Sequence, residues 1–212
     1  MKNHQPREEA IIDLAIEIAA RAHKNQMRKG TDIPYITHPM AVGILLSRAG
    51  CDDEVIAAGI LHDTIEDTSI TLDFIKEKFR KRVAAIVEGC SEPDRSLSWE
   101  DRKMHTIELL KTSSAEVRLV ACADKLHNIR TIATEYAKIG DKVWGRFNRG
   151  RADQEWYYRG LVDSLCGGTK IEKYEAFFRK FKEEVEDFFS KSKFDTNVKI
   201  SSYIDAWSGS RD

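Results

Sequence analysis

Four short segments of this chain gather residue types able to do chemistry. They are Arg28-Lys29, Tyr35-Ile36-Thr37-His38-Pro39, His62-Asp63-Thr64-Ile65-Glu66-Asp67 and Asp124-Lys125-Leu126-His127-Asn128. The third follows the apolar run Val55 to Leu61, so it falls near the end of a helix. Residues four apart are neighbours on a helix surface, which puts His62 beside Glu66 and Asp63 beside Asp67. Carboxylates repel one another, and a helix C-terminus disfavours negative charge. Helix stability therefore gives no reason to crowd an imidazole and three carboxylates there. A bound divalent cation does, because it brings positive charge and needs nitrogen and oxygen ligands.

Asp124 poses the same problem. It follows the apolar stretch Val117 to Ala123, so its helix turns it inward or into a cleft. A buried carboxylate without a partner costs several kcal/mol or shifts its pKa far. Ligation of a metal removes that cost. His38, His62, Asp63 and Asp124 make a mixed nitrogen and oxygen set without thiolate, which suits Mn²⁺ or Fe²⁺ better than structural zinc.

The elements that must position these residues are helical. Apolar residues at Ile11, Ile12, Ala15, Ile18, Ala19 and Ala22 form a stripe of period 3.6, predicting a helix from Glu8 to Lys24. Arg28 to Pro34 reads as a loop. Pro39 suits a first helical turn, and the segment Met40 to Ala49 ends at Gly50, a C′ candidate. Asp52 or Asp53 caps a helix from Glu54 to about Asp67, and Thr71 opens another to about Val87. Ser98 with Asp101 starts a helix to Lys111; Ser114 caps a long one to about Lys138, stopped at Gly140. Asp141 to Asp153 is the best loop candidate, and Thr169 with Glu172 opens an amphipathic helix to about Phe189. No run alternates at period two; only Val198 to Ile204 has strand-like content. The expected fold is all-α: one helical bundle over residues 1–190, core about 10–165, with an added C-terminal amphipathic helix. Residues 191–212 are a tail, partly disordered in this reading.

Composition narrows the function classes. Lys and Arg number 34 against 35 Asp and Glu, a net charge of −1. That balance argues against a nucleic-acid coater, which needs excess positive charge. No stretch nears 18 apolar residues, so no transmembrane helix is expected. The polar start from Met1 to Glu9 lacks a signal core, and the four cysteines (Cys51, Cys90, Cys122, Cys166) form no CxxC pair. A reduced, cytoplasmic protein is the expectation.

The order H…HD…D resembles the HD-domain metal-dependent phosphohydrolases. Pro34 to Pro39, HDTIED from His62 and ADKLHNIR from Ala123, preceded by Arg28-Lys29, resemble more closely the hydrolase domain of the RelA/SpoT enzymes. The likeness spans roughly Ala10 to Leu165. No synthetase-like segment is found, so a stand-alone small alarmone hydrolase is the expectation. The resemblance implies an all-helical bundle in which His38, His62, Asp63 and Asp124 bind Mn²⁺. It implies that Glu66 and Asp67 activate or position the attacking water, and that Asn128 meets the nucleotide. Arg28 and Lys29 inherit contact with a guanine base, and Trp156 or Tyr157 an aromatic contact. The implied reaction removes pyrophosphate from the 3′ position of guanosine 3′,5′-bis(diphosphate) or its pentaphosphate form. Lys125 points some 100° from Asp124 on an ideal helix, so it meets phosphate only at the edge of the site. Two alternatives stand beside this: a phosphohydrolase for another nucleotide, and a nucleotide-sensing or antitoxin module.

Other residues read more plainly. His4 and His105 are surface residues, His23 sits on a solvated basic stretch, and His127 makes a surface or supporting hydrogen bond rather than a metal bond. The loop from Lys142 to Arg151 is a lid or a solvated loop. Phe177, Phe178, Phe181, Phe188 and Phe189 pack a helix, or form a contact between copies. Oligomeric state is open.

Overall fold

The structure, a computed structural model, describes residues 10–92, 96–167 and 171–190. Its α-helices are α1 (Ala10–Ala22), α2 (Thr37–Arg48), α3 (Asp53–Leu61), α4 (Thr64–Asp67), α5 (Leu72–Lys78), α6 (Lys81–Cys90), α7 (Trp99–Thr112), α8 (Ala115–Ile139), α9 (Arg151–Gly167) and α10 (Glu175–Ser190). The described residues hold no strand, only one isolated bridge between Met27 and Pro34. The all-α expectation agrees with this architecture.

Helix α3 is the hub. Val55 to Leu61 are all buried, the pattern of a helix apolar all round and enclosed on every side. It packs against α1, α2, α6 and α8. Its approach to α2 depends on glycine: a Cβ at Gly59 would lie 2.2 Å from Leu46 Cδ1, and one at Gly43 2.7 Å from Ile60 Cγ1. Leu46, Leu61 and Leu126 are fully buried, each contributing roughly 1.5–3 kcal/mol.

Caps expected from sequence are present. Asp52, Thr71, Ser98 and Ser114 accept the N–H groups of Val55, Phe74, Asp101 and Val117. Gly50 and Gly140 adopt φ of 77° and 58° where their helices stop. At α7 the reciprocal half of a capping box is missing, because Ser98 donates its hydroxyl to the Asp101 carboxylate.

Four boundaries need correction. The span Glu54 to Asp67 is not one helix: α3 ends at Leu61 and α4 starts at Thr64. The His62 ring reaches the Gly59 carbonyl and the Thr64 hydroxyl donates to that of Leu61, so side chains take up the helix-end acceptors. The span Thr71 to Val87 breaks into α5 and α6, where Phe79 and Arg80 are extended and Phe79 turns into the core at 6 % exposure. Asp141 to Asp153 is not a plain loop: a 3-10 helix covers Gly140–Arg146 and α9 begins at Arg151. The α9 stripe carries Gln154 and Ser164 among Tyr157, Tyr158, Leu161 and Leu165, and those polar residues mask its period. The last helix starts at Glu175, after a 3-10 turn at Glu172–Tyr174. Thr169, the tail and the Val198 to Ile204 run lie outside the described residues.

Helix α10 buries Phe178, Phe181, Val185 and Phe189 against α8 and α9, and Arg130 clasps both Glu184 oxygens at 2.7 and 2.5 Å. The phenylalanines thus pack a helix, as their spacing suggests.

Candidate metal and phosphate site

Three elements distant in sequence converge on one point. The first turn of α2 supplies His38, where Pro39 is tolerated because a first-turn position needs no N–H for a helical hydrogen bond. The turn between α3 and α4 supplies His62 and Asp63, and the middle of α8 supplies Asp124. Adjacent residues on a continuous helix diverge by about 100°; the break at His62 lets the neighbouring side chains face each other. His62 Nε2 lies 3.1 Å from Asp63 Oδ2, and His38 Nε2 lies 3.2 Å from Asp124 Oδ1 and 3.5 Å from Asp63 Oδ2. Ligand atoms of His38, His62 and Asp124 all sit within 4.8 Å of one another. Opposed ligands of a single hard dication are about 4–5 Å apart.

His62 Nδ1 is 2.8 Å from the Gly59 carbonyl, so that nitrogen carries a proton and Nε2 is the atom left to face the carboxylates. Nε2 is buried without a hydrogen-bond partner, since Asp63 is close but not aligned. A buried Nε2 without a hydrogen-bond partner, facing two carboxylates, fits a site where a divalent cation takes the place of a proton.

The charge balance points the same way. Burial pulls the His62 pKa down, yet Asp63 and Asp124 outweigh it and raise it to about 9. Burial would raise Asp63, but His62 and then His38 hold it well below the carboxylate range. Burial likewise opposes the Asp124 charge, and Lys125, then His38, keep it ionised. Burial lowers His38 below its ordinary 6.5. His127 falls to about 4 through burial, then the neighbouring His38 and Arg28. Burial, then Asp63, drives the Tyr35 phenol far above its ordinary 10, so it stays a donor.

The other expected residues divide. Asn128 donates to Asp124 Oδ1 at 2.5 Å and accepts from Arg28 at 2.9 Å, so Arg28 joins the cluster across 100 residues of chain. Lys29 does not join it; its Nζ is 3.4 Å from the Asn148 side chain. Lys125 is not at the edge: its long side chain bends back to place Nζ 2.7 Å from Asp124 Oδ2. Beside the cluster lies a cavity of about 180 Å³ whose walls include His62, Asp63, Glu66, Lys103, Asp124 and Lys125. Glu66 faces it and accepts the Glu92 backbone N–H at 2.6 Å. Asp67 is exposed and is not among the cavity walls. Tyr157 lines the cavity beneath Lys103, 5.2 Å from its ring centroid, whereas Trp156 is 40 % exposed.

Several participants carry no role in the sequence reading. The Tyr35 hydroxyl donates to Asp63 Oδ2 at 2.6 Å, a contact hidden inside a segment recognised for His38. His23 is not solvated: at 1 % exposure it contacts Gln26 at 2.7 Å and packs on Tyr35. Its basic neighbours misdirect that reading. Lys103 and Glu92, paired at 2.5 Å, look in sequence like ordinary helix-surface charge. His105 is exposed, as expected, but borders the cavity.

The HD-domain family profile matches residues 15–154. The chain belongs to the HD-domain family. A zebrafish (Danio rerio) relative described as guanosine-3′,5′-bis(diphosphate) 3′-pyrophosphohydrolase MESH1 is 39 % identical over 126 residues, 58 % of this chain and 69 % of that protein. A Mycobacterium leprae relative, described as a probable GTP pyrophosphokinase, is 38 % identical over 126 residues. The match covers 58 % of this HD-domain chain and only 16 % of that longer protein. A solved metazoan orthologue of SpoT, described as hydrolysing ppGpp, superposes with a TM-score of 0.69 at 27 % identity, covering 85 % of this chain and 97 % of that one. Among the described residues no helix is long and apolar enough to cross a membrane.

Proposed function

We propose that this HD-domain protein hydrolyses guanosine 3′,5′-bis(diphosphate) and its pentaphosphate form to GDP or GTP and pyrophosphate, with Mn²⁺ held by His38, His62, Asp63 and Asp124. The observation that carries this reading is the convergence of those four side chains beside a cavity walled by Glu66, Lys103 and Lys125. A dication held there supplies Lewis-acid charge to a phosphoryl oxygen and makes water more acidic.

The chain's own residues do the rest. Glu66, oriented by the Glu92 N–H, takes the proton from the attacking water, and Asp67, the next residue, supports it. Water supplies the oxygen that joins pyrophosphate, the ester bond to the 3′ oxygen breaks, and that oxygen takes up a proton to leave as the 3′-hydroxyl. Lys103 and Lys125 meet the departing phosphates as fixed charge, since phosphoryl transfer depends mainly on positioning and electrostatics. Arg28 and Asn128, linked to each other and to Asp124, hold the nucleoside end. Lys29 reaches the base only by leaving Asn148. That arrangement keeps a second reading in view, a phosphohydrolase of another 3′-phosphorylated nucleotide, because base recognition then rests on Arg28 alone.

The test is pyrophosphate release from the bis(diphosphate) by purified protein with Mn²⁺. Turnover abolished by EDTA and restored by Mn²⁺ is expected. Absence of turnover across guanine alarmones, with cleavage of another 3′-phosphorylated nucleotide, selects the second reading; absence of both removes the catalytic account.

A further inference from the structure

The two imidazoles of the cluster are held from behind in different ways. His62 has the usual support, a backbone carbonyl, Gly59 O, 2.8 Å from Nδ1. His38 has no carbonyl or carboxylate at that position. Its Nδ1 lies 2.7 Å from Nδ1 of His127, with ring centroids 4.9 Å apart. His127 sits three residues beyond Asp124, so α8 supplies both a cluster carboxylate and the support for a cluster imidazole.

A contact of 2.7 Å between two ring nitrogens accommodates one proton. Two N–H groups would clash there, and two lone pairs would repel. His38 must keep Nε2 unprotonated to offer it to a cation, so the shared proton belongs to His38 Nδ1. His127 Nδ1 is then the acceptor, and His127 carries its own proton on Nε2. We propose that His127 is a positioning residue that fixes the tautomer and ring rotation of His38 for cation binding. The proposal rests on the metal reading of the site given above. Partners behind a metal-bound histidine typically change metal affinity or activity by about 10–100-fold when removed.

Variants separate this from simple packing. In His127→Asn, the Oδ1 atom stands the same number of bonds from the backbone as Nδ1 and keeps an acceptor there. In His127→Phe, the ring volume stays and the acceptor goes. Calorimetric titration of the metal-free proteins with Mn²⁺ is the measurement. Parent and His127→Asn are expected to bind within about threefold of each other, and His127→Phe about 10–100-fold more weakly. His38→Ala is expected to lose binding. Parent protein that binds no Mn²⁺, or His38→Ala that binds like the parent, removes the metal reading and this proposal with it. With those two controls as expected, His127→Phe equal to the parent overturns the role of His127 alone. His127→Asn as weak as His127→Phe overturns it too, in favour of packing. Nitrogen-15 imidazole spectra of the parent loaded with diamagnetic Zn²⁺ in place of Mn²⁺ decide the matter even where the phenylalanine variant does not fold. Protons on His38 Nδ1 and His127 Nε2 are expected, and a proton on His127 Nδ1 overturns the proposal.

Discussion

Asp63 Oδ2 receives the Tyr35 hydroxyl and stands within 3.5 Å of both cluster imidazoles, so one oxygen ties the loop before α2 to the α3–α4 turn. The neighbouring Glu66 also faces the cavity but makes neither of those imidazole contacts; a backbone N–H holds it. That separation gives distinct expectations for the two carboxylates. Glu66→Gln keeps the hydrogen-bond acceptor but not the basicity. It is expected to bind Mn²⁺ like the parent by calorimetry while kcat falls about 10²–10⁴-fold. Unchanged kcat would dismiss Glu66 as the base. The candidate ligands were legible because two of them adjoin as His62-Asp63 and the others sit in short polar breaks within apolar runs. The roles of Tyr35 and Lys103 were not, nor was the partner of His127, whose supporting hydrogen bond was among the readings, because these depend on contacts across 28, 11 and 89 residues of chain. No local spacing encodes those contacts. Lys125 was misplaced because a helical wheel fixes where Cβ points, not where a flexible four-carbon chain ends.

At the scale of elements, the site depends on α3 lying close to α2. Gly59 permits that approach, and its carbonyl also holds His62. In Gly59→Ala the added methyl meets Leu46, which is fully buried and has nowhere to move. Overpacking costs about 1–3 kcal/mol, and the better helix propensity of alanine returns up to about 1. A net loss of about 1–2 kcal/mol lowers the melting temperature by roughly 2–8 °C for a chain of this size, and Mn²⁺ binding weakens as the Gly59 carbonyl shifts. A variant that melts and binds like the parent would contradict this account of the α2–α3 contact. Helix existence was readable wherever the apolar stripe was clean, as in α1, α8 and α10. Breaks were less so. The one after Leu61 has no glycine or proline at the break, and the side chains of His62 and Thr64 make it by taking helix-end carbonyls. The break at Phe79 exists because that ring turns into the core, a tertiary cause invisible to local pattern.

Across the whole molecule, the cluster draws on α2, the α3–α4 turn and α8, so a bound cation pins together segments 86 residues apart, from His38 to Asp124 (124 − 38). Such a ligand stabilises the folded state by mass action, about 2.7 kcal/mol at a hundredfold excess over Kd. At roughly 2–4 °C per kcal/mol, saturating Mn²⁺ is expected to raise the melting temperature of the metal-free protein by about 5–11 °C. The shift should be absent in Asp124→Asn. An equal shift in that variant would place the ion elsewhere. The central claim is that His38, His62, Asp63 and Asp124 grip one dication. Anomalous diffraction from crystals grown with Mn²⁺ tests it most directly. A single strong peak within coordination distance of His38 Nε2, His62 Nε2 and both aspartates is the expected result; a peak at another place, or none, contradicts the account.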